Sequence, residues 1–321
     1  MSTIPLTFDD QNTPYTIVGN TAQDCRKDSL PLFSILLLNR GGKFHREELL
    51  HEIYKIDFAE ILYIEGPEFS YDIEQLSRKY PEVKFLLCQS QISTGEKINI
   101  GMEESQSHLV FVFWSNNKIV SNSITAELIK RTEQQNVLCS VPVMKNIHHK
   151  DIPSIQVPGF IKGNLKVVPW SPVKNSIESI FPFDYCGIYN RKKYYNIGGF
   201  DNNIKNPYWQ KLDFGFRAFM WGERIRLDTG FVLQYLGDTE VENSSPDKDY
   251  KIFFLKNIFV KYKNNAGFIP LYKLLNYLYY SDSGPVRSIK EFITIRKWVR
   301  ENKDRYKNDA KALVKLWKVP E

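Results

Sequence analysis

Apolar and polar positions change period along the chain, and each change marks an element. PLFSILLLN (31–39) is a nearly unbroken apolar run of strand length, which reads as a strand covered on both faces. REELLHEIYKI follows with apolar residues at 49, 50, 53, 54 and 56, a helical spacing. Then come AEILYIEG as a strand, SYDIEQLSRKY as a helix, EVKFLLCQ as a strand, TGEKINIGMEES as a helix and HLVFVFWS as a strand. Strands alternating with helices over short connectors predict βαβ units, hence a mostly parallel sheet with helices on both faces. Ligands of such sheets bind beyond the carboxyl ends of the strands. That rule singles out Asn39-Arg40-Gly41-Gly42, Glu65-Gly66, Gln89 to Thr94 and Trp114-Ser115-Asn116-Asn117.

The second half is less regular. SITAELIKRTEQQ reads as a helix and NVLCSVPVM as a strand, while 152–172, rich in Pro, Gly and Val, fits a hairpin or active-site loop. FPFDYCGIYN is strand-like, and NPYWQKLDFGFRAFMWG has helical spacing with Gly222 placed to end it. After Pro246 the chain is aromatic and basic with helical periodicity. There Ser288-Ile-Lys-Glu291 has the form of a capping box opening a helix. Three regions result: an N-terminal extension or strap over 1–30, an α/β domain over 31–245, and a basic helical region over 246–321. No internal repeat or low-complexity tract interrupts them.

Charge sharpens this division. The formal net charge is +6, and 285–321 carries eleven Lys or Arg against five acids, so the tail accounts for the whole excess. A near-neutral body argues against nucleic acid as a partner and for a local basic appendage. Tail residues Phe292, Ile295, Trp298 and Val299, then Leu313, Leu316 and Trp317, give amphipathic helices. These would either dock on an anionic membrane face or pack their apolar side on the main domain. No run approaches the roughly 20 apolar residues of a membrane span, and MSTIPLTFDD has neither region of a signal peptide. Cys25, Cys88, Cys139 and Cys186 are widely spaced and read as reduced thiols of a cytoplasmic protein, at most peripheral to the inner membrane face.

Two segments carry candidate chemistry: Thr94-Gly95 through Asn99 and Gly101 to the turn Trp114-Ser115-Asn116, and Gly198-Gly199-Phe200-Asp201 followed by Trp209, Asp213, Arg217 and Gly222. In order and setting they resemble family 2 glycosyltransferases of the GT-A fold over about 32–235. Those proteins carry a glycine-led helix ending in N-x-G, a strand ending in a D-x-D-like turn, a G-G-F-D motif, and an acid ahead of an Arg and a Gly on a helix. The resemblance implies transfer of a sugar from a nucleotide-diphosphate donor to a glycan or lipid-linked hydroxyl, in bacterial envelope polysaccharide or lipopolysaccharide synthesis, with inversion as the family default. By the same resemblance Leu38, Asn39, Arg40 and Glu65 would border the nucleotide, and Asn99 would hold its helix against the base-binding loop. Asp201, with Gly199, Trp209 and Arg217, would lie on the acceptor side.

Trp209, Leu212, Asp213, Phe216 and Met220 share one helical face. An aspartate in such a stripe is costly unless paired or useful. Asp213 is therefore expected as general base, its pKa raised by burial, the alternative being a plain i,i+4 pair with Arg217. The departures from the family matter as much. Trp114-Ser115-Asn116 replaces the D-x-D metal ligands, so Asn116 would hold Mg2+ or Mn2+ only weakly. Gln210 and Lys211 replace the family's Glu-Asp pair. Either Arg40 and Lys211 neutralise the leaving diphosphate, or the chain is a catalytically silent nucleotide-sugar or glycan-binding protein. A membrane-docked scaffold is the third reading. His148-His149 has no evident third ligand and reads as a solvated loop.

Overall fold

A computed structural model describes residues 13–19, 33–40, 46–54, 56, 58, 60–120, 123–237, 242–280 and 284–317. The elements of the first half are β1 (Tyr15–Gly19), β2 (Phe33–Leu38), α1 (Arg46–Ile53), β3 (Glu60–Glu65), α2 (Ile73–Lys79), β4 (Val83–Cys88), α3 (Thr94–Glu104), β5 (Leu109–Trp114), β6 (Asn117–Ile119) and α4 (Ala126–Gln135). The second half adds β7 (Cys139–Lys145), β8 (Ile155–Ile161), β9 (Asn164–Trp170), β10 (Gly187–Asn190), α5 (Arg191–Asn196), α6 (Pro207–Met220) and β11 (Ile225–Tyr235). Next come α7 (Lys248–Phe253), continued by a π-helical turn Phe254–Ile258, then β12 (Lys261–Lys263), β13 (Ala266–Phe268), α8 (Lys273–Tyr280), α9 (Pro285–Glu301) and α10 (Ala310–Lys315).

Nine strands form one sheet in the order β1-β4-β3-β2-β5-β10-β7-β11-β6. β4, β3, β2 and β5 run parallel, β7 and β11 share their direction, and β1, β10 and β6 run against it. Every residue of β2 and β5 is buried, as expected of central parallel strands covered on both faces. From β2 the chain steps outward through β3 and β4, then returns to place β5 on the other side of β2. The connections therefore diverge beside β2, and a crevice opens there at the carboxyl edge. Arg40 and Trp114 leave the sheet at that point.

Part of the predicted N-terminal strap is instead sheet: β1 pairs with β4, while 1–12 and 20–30, with Cys25, lie outside the described residues. Residues 155–170 form the hairpin β8–β9. FPFDYCGIYN is not one strand but a short 3-10 turn, Phe183–Tyr185, leading into β10. β11 and the small hairpin β12–β13 escaped the periodicity reading. Helix α9 starts at Pro285, three residues before the supposed capping box. Ser288 lies inside its first turn, its hydroxyl donating to the Gly284 carbonyl.

Helix α6 crosses the middle of the molecule, with Trp209 through Met220 all buried. It can do so because Gly215 has no side chain: a Cβ there would stand 1.7 Å from the Ile180 carbonyl oxygen. Gly215→Ala is expected to destabilise the fold by about 3 kcal/mol, since backbone on both sides leaves no room to relax. A urea unfolding midpoint against the parent checks this, and an unchanged midpoint would refute so close a contact.

The C-terminal region completes the same core. Phe292 and Val299 of α9 and Leu313 of α10 are buried, Trp298 stacks on Trp221 with centroids 5.9 Å apart, and Trp317 packs on Phe219 at 4.8 Å. Of the two expectations for those residues, the structure shows packing on the main domain. The face carrying Phe292, Ile295, Trp298 and Val299 packs on the main domain, and of the named set only Leu316 stays exposed. No described helix is long and apolar enough to cross a membrane.

Candidate functional site

At the divergence point, the ends of β2, β3 and β5 are tied by buried polar groups. Asn39 Nδ2 donates to Glu65 Oε2 at 2.7 Å, Ser115 Oγ donates to Asn39 Oδ1 at 3.1 Å, and the Ser115 amide bonds the Leu38 carbonyl at 2.8 Å. The Arg40 amide in turn donates to Ser115 Oγ at 3.2 Å. Leu38, Asn39, Arg40, Glu65 and Ser115 are thus brought together as the sequence implies. However, Leu38 and Glu65 are fully buried, and only Arg40 of the five borders open space. The Gly41-Gly42 pair lies outside the described residues.

That space is a cleft of about 130 Å3 lined by Arg40, Trp114, Asp184, Lys211, Tyr235 and Glu242, among others. The Arg40 guanidinium lies over the Trp114 indole, 4.0 Å from the ring centroid, and its Nη2 is 2.5 Å from Asp184 Oδ1. A cation on an aromatic face gains electrostatic attraction that strengthens as water is excluded. Asp184 is itself held: Tyr235 donates its hydroxyl to the other carboxylate oxygen, and Trp114 Nε1 donates to the Asp184 carbonyl at 2.9 Å. Asp184 and Tyr185 both have left-handed backbone, φ 50° and 62°. Two successive non-glycine residues there cost free energy that the surrounding contacts must offset, a pattern concentrated at functional sites.

Lys211 enters from the opposite wall. Its side chain is 3% exposed, its ammonium bonds the Glu242 carboxylate, and it stands over the Tyr185 and Phe181 rings at 5.1 and 5.5 Å. Burial pushes the Tyr208 phenol up to about 12, and the Glu242 charge adds to the effect. Burial, with the Asp184 charge behind it, pushes Tyr235 far above its usual range. At neutral pH both phenols therefore stay protonated and do not act as bases.

Gln210 joins three elements. Its Oε1 accepts from the Gly95 amide and the Tyr185 hydroxyl, both at 2.9 Å. Its Nε2 donates to the Ile204 carbonyl at 2.7 Å and to Ser93 Oγ at 3.0 Å. Asn99 clamps the glycine turn, with Nδ2 to the Phe200 carbonyl at 2.9 Å and Oδ1 accepting from the Phe200 amide at 3.0 Å. Gly198 and Gly199 make that turn at φ 82° and 60°, which only glycine adopts without strain.

Asp213 lies two residues from Lys211, about 200° around the helix, and so faces away from the cleft. It is fully buried. Arg217 Nη2 reaches its Oδ2 at 2.8 Å, Asn257 Nδ2 its Oδ1 at 2.8 Å, and Lys256 Nζ lies 3.3 Å away. Lys256 also contacts Asp201 Oδ2 at 2.5 Å. Burial pushes the Asp213 carboxyl up, but the Lys256 and Arg217 charges and the Asn257 and Arg217 hydrogen bonds outweigh it, and the net displacement is downward. The expected upward shift is thereby corrected: the aromatic stripe supplies burial, but two cations share the site. The i,i+4 pair with Arg217 is present. Trp209, whose indole N–H donates to the Ser245 carbonyl at 3.1 Å and whose ring stacks on Phe253, lies on the same packed face. Asp201 borders a second cavity of about 460 Å3 with Lys256, Lys290 and Trp298, and no residue lines both spaces.

A hard divalent cation needs several oxygen ligands, preferably anionic. Asn116 Oδ1 is buried without a hydrogen-bond partner, but it is one neutral oxygen. The cleft carboxylates, Asp184 and Glu242, are each bridged to a cation. Among the described residues no three His, Cys, Asp or Glu side chains gather into a group that could hold a metal. This donor set does not fit a resident Mg2+ or Mn2+. His148 and His149 are exposed in the turn after β7.

Sequence reasoning missed Asp184, Tyr235 and Glu242. Asp184 was hidden in an apparent strand, and Glu242 lies in a polar stretch without periodicity. No signal marked it, since the strand before it, β11, also went unread.

No protein-family profile and no curated protein sequence matches the chain. Solved structures do. GalNAc-T7 with UDP, GalNAc and Mn2+ superposes with a TM-score of 0.60 at 15% identity, over 91% of this chain and 59% of that one. The present chain therefore spans about three fifths of that protein's length. S. aureus TarS 1-349 in complex with UDP-GlcNAc gives a TM-score of 0.51 at 13% identity, over 83% of this chain and 71% of that one. The fold is of the GT-A glycosyltransferase type.

Proposed function

We propose that the chain transfers a sugar from a nucleotide-diphosphate donor to an acceptor hydroxyl, with the donor seated in the cleft beyond β2, β3 and β5. The observation that carries this reading is the pair of cations, Arg40 and Lys211, converging on the cleft of a GT-A fold in which no group of described acids, His or Cys could hold a metal. In the reaction the acceptor oxygen bonds to the anomeric carbon, the bond from that carbon to the diphosphate breaks, and the nucleoside diphosphate leaves with the electron pair. Arg40, fixed over Trp114 by Asp184, and Lys211 meet the growing charge on the diphosphate. Preorganised cations in a partly desolvated site stabilise such charge more than water does.

The proton of the acceptor hydroxyl goes to Glu242. Of the two carboxylates lining the cleft it is the more open, 30% exposed against 12% for Asp184, whose oxygens are taken by Arg40 and Tyr235. A diphosphate that draws Lys211 toward itself frees Glu242 for this role. Asp213 and Asp201, with Gly199, Trp209, Arg217 and Asn99, hold α6 and the glycine turn in place. A glycan or lipid-linked acceptor of envelope polysaccharide or lipopolysaccharide type, and inversion at the anomeric carbon, follow from the family 2 resemblance.

A thermal-shift panel of UDP-, GDP-, dTDP- and CMP-sugars tests the donor site. A ligand at about a hundred times its Kd adds roughly 2.7 kcal/mol of stability. One nucleotide class is expected to raise the midpoint, equally with Mn2+ or with EDTA. Lys211→Met is expected to weaken that donor about 10- to 100-fold, the equivalent of one charge-assisted hydrogen bond. No shift with any donor from folded protein would sink the proposal. The Gln210-Lys211 pair, in place of the family's acids, also favours a second reading, a silent nucleotide-sugar-binding protein. That reading predicts a donor shift with no turnover toward any acceptor and none of its slow hydrolysis.

A further inference from the structure

Helix α9 is apolar on two sides. Its inner side closes the core, while its outer side presents Val286, Ile289 and Ile293, which are 81, 37 and 58% exposed. The neighbouring α8, joined to α9 by the Tyr277–Phe292 contact and the 2.9 Å bond from the Tyr277 hydroxyl to Glu291, exposes Leu275 and Tyr279 at 73 and 83%. Leu271 and Tyr272, just before α8, are each 63% exposed. Scattered exposed apolar residues are ordinary, but this many on two packed helices mark an interaction surface.

The charges around them are mainly basic. At 100° per residue Lys290, Lys297 and Arg300 fall on the same side of α9 as Val286 and Ile293, and all three are exposed. Of the helix's two acids, Glu291 faces Tyr277 and Arg287, and Glu301, on the same side as Lys297 and 3.9 Å from it, offsets one of the three cations. A second copy of this chain would bring the same cations against themselves. A nucleic acid would leave the apolar stripe unmatched.

We propose that the outer face of α8 and α9 docks on an anionic lipid bilayer, with Val286, Ile289, Ile293, Leu275 and Tyr279 entering the headgroup boundary and Lys290, Lys297 and Arg300 meeting lipid phosphates. An apolar stripe bordered by basic residues and tyrosines has the chemistry of an interfacial helix. These are not the residues that the bare periodicity of the tail singles out, because that set is consumed in packing.

Co-sedimentation with phosphatidylcholine vesicles, with and without phosphatidylglycerol, tests this on the full chain. The mixture holds no nucleotide sugar, so the outcome is independent of the transfer reaction. The protein is expected to pellet with the anionic vesicles only and to be released by salt. Val286→Ser with Ile293→Ser, and separately Lys290→Gln with Lys297→Gln and Arg300→Gln, are each expected to lower binding at least about tenfold, since each removes several interfacial contacts. All five residues are exposed, so the thermal midpoints of both variants stay at the parent value. Parent protein that remains in solution with anionic vesicles overturns the proposal, as do variants that bind as well as the parent. A dimer in sedimentation velocity that dissociates in the Val286→Ser, Ile293→Ser variant also overturns it, and assigns the face to a second copy.

Discussion

Glu242→Gln is expected to lower kcat about 10²- to 10⁴-fold, the range for loss of a positioned general base. The amide keeps the size and planarity of the carboxylate but cannot take the acceptor proton. Donor binding should survive or tighten, because Lys211 loses the anion that now holds it and is left free for the diphosphate. The informative comparison is kcat against the donor-induced thermal shift in the same variant. Loss of turnover with the shift intact is the expected pattern. Undiminished turnover would remove Glu242 from the mechanism and return attention to Asp184.

The second large effect is on stability. Asp213→Asn leaves Arg217 and Lys256, 1% and 5% exposed, without the anion between them. Breaking one partner out of a buried ion network costs about 3–5 kcal/mol, chiefly here because Arg217 is left buried without an anion while Lys256 keeps Asp201. Urea unfolding at neutral pH would measure it, and a loss under about 1 kcal/mol would contradict the network's role. A pH series adds a sign. The folded-state pKa of Asp213 is depressed, so its stabilising contribution is complete above the ordinary carboxylate value. That contribution fades as pH falls below about 4, toward the depressed folded value. The parent should lose stability through that acid window by a component that the Asn variant lacks.

Local pattern carried the fold well wherever the physics was local. The buried run of β2, the helical spacing of α6, and Gly222 just past its end all stand where periodicity and capping rules put them. β11 escaped because its apolar run is broken by Asp228-Thr229-Gly230. There the strand shifts register against β7, and Asp228 is buried only because Arg131 reaches it bidentately at 2.8 Å. The site was legible in part for the same reason. Strand ends and motif order located Arg40, Trp114 and Lys211, but the partners that define their roles are remote. Asp184 is 144 residues from Arg40, and Lys256 lies 43 residues beyond Asp213. Helical spacing placed Asp213 on a face with Trp209 and Phe216, yet could not say that α7 and its π-helical turn would cover that face.

The stacking of Arg40 on Trp114 has a further consequence if the proposed chemistry holds. An electrophile carried on the chain has no dissociation equilibrium, so every folded molecule is charged for reaction whatever the supply of divalent ions around it. It is also copied with the gene. The ion preference that an exchangeable site can retune by swapping metals becomes here a matter of mutation, and Trp114 and Asp184 would have to change together with Arg40.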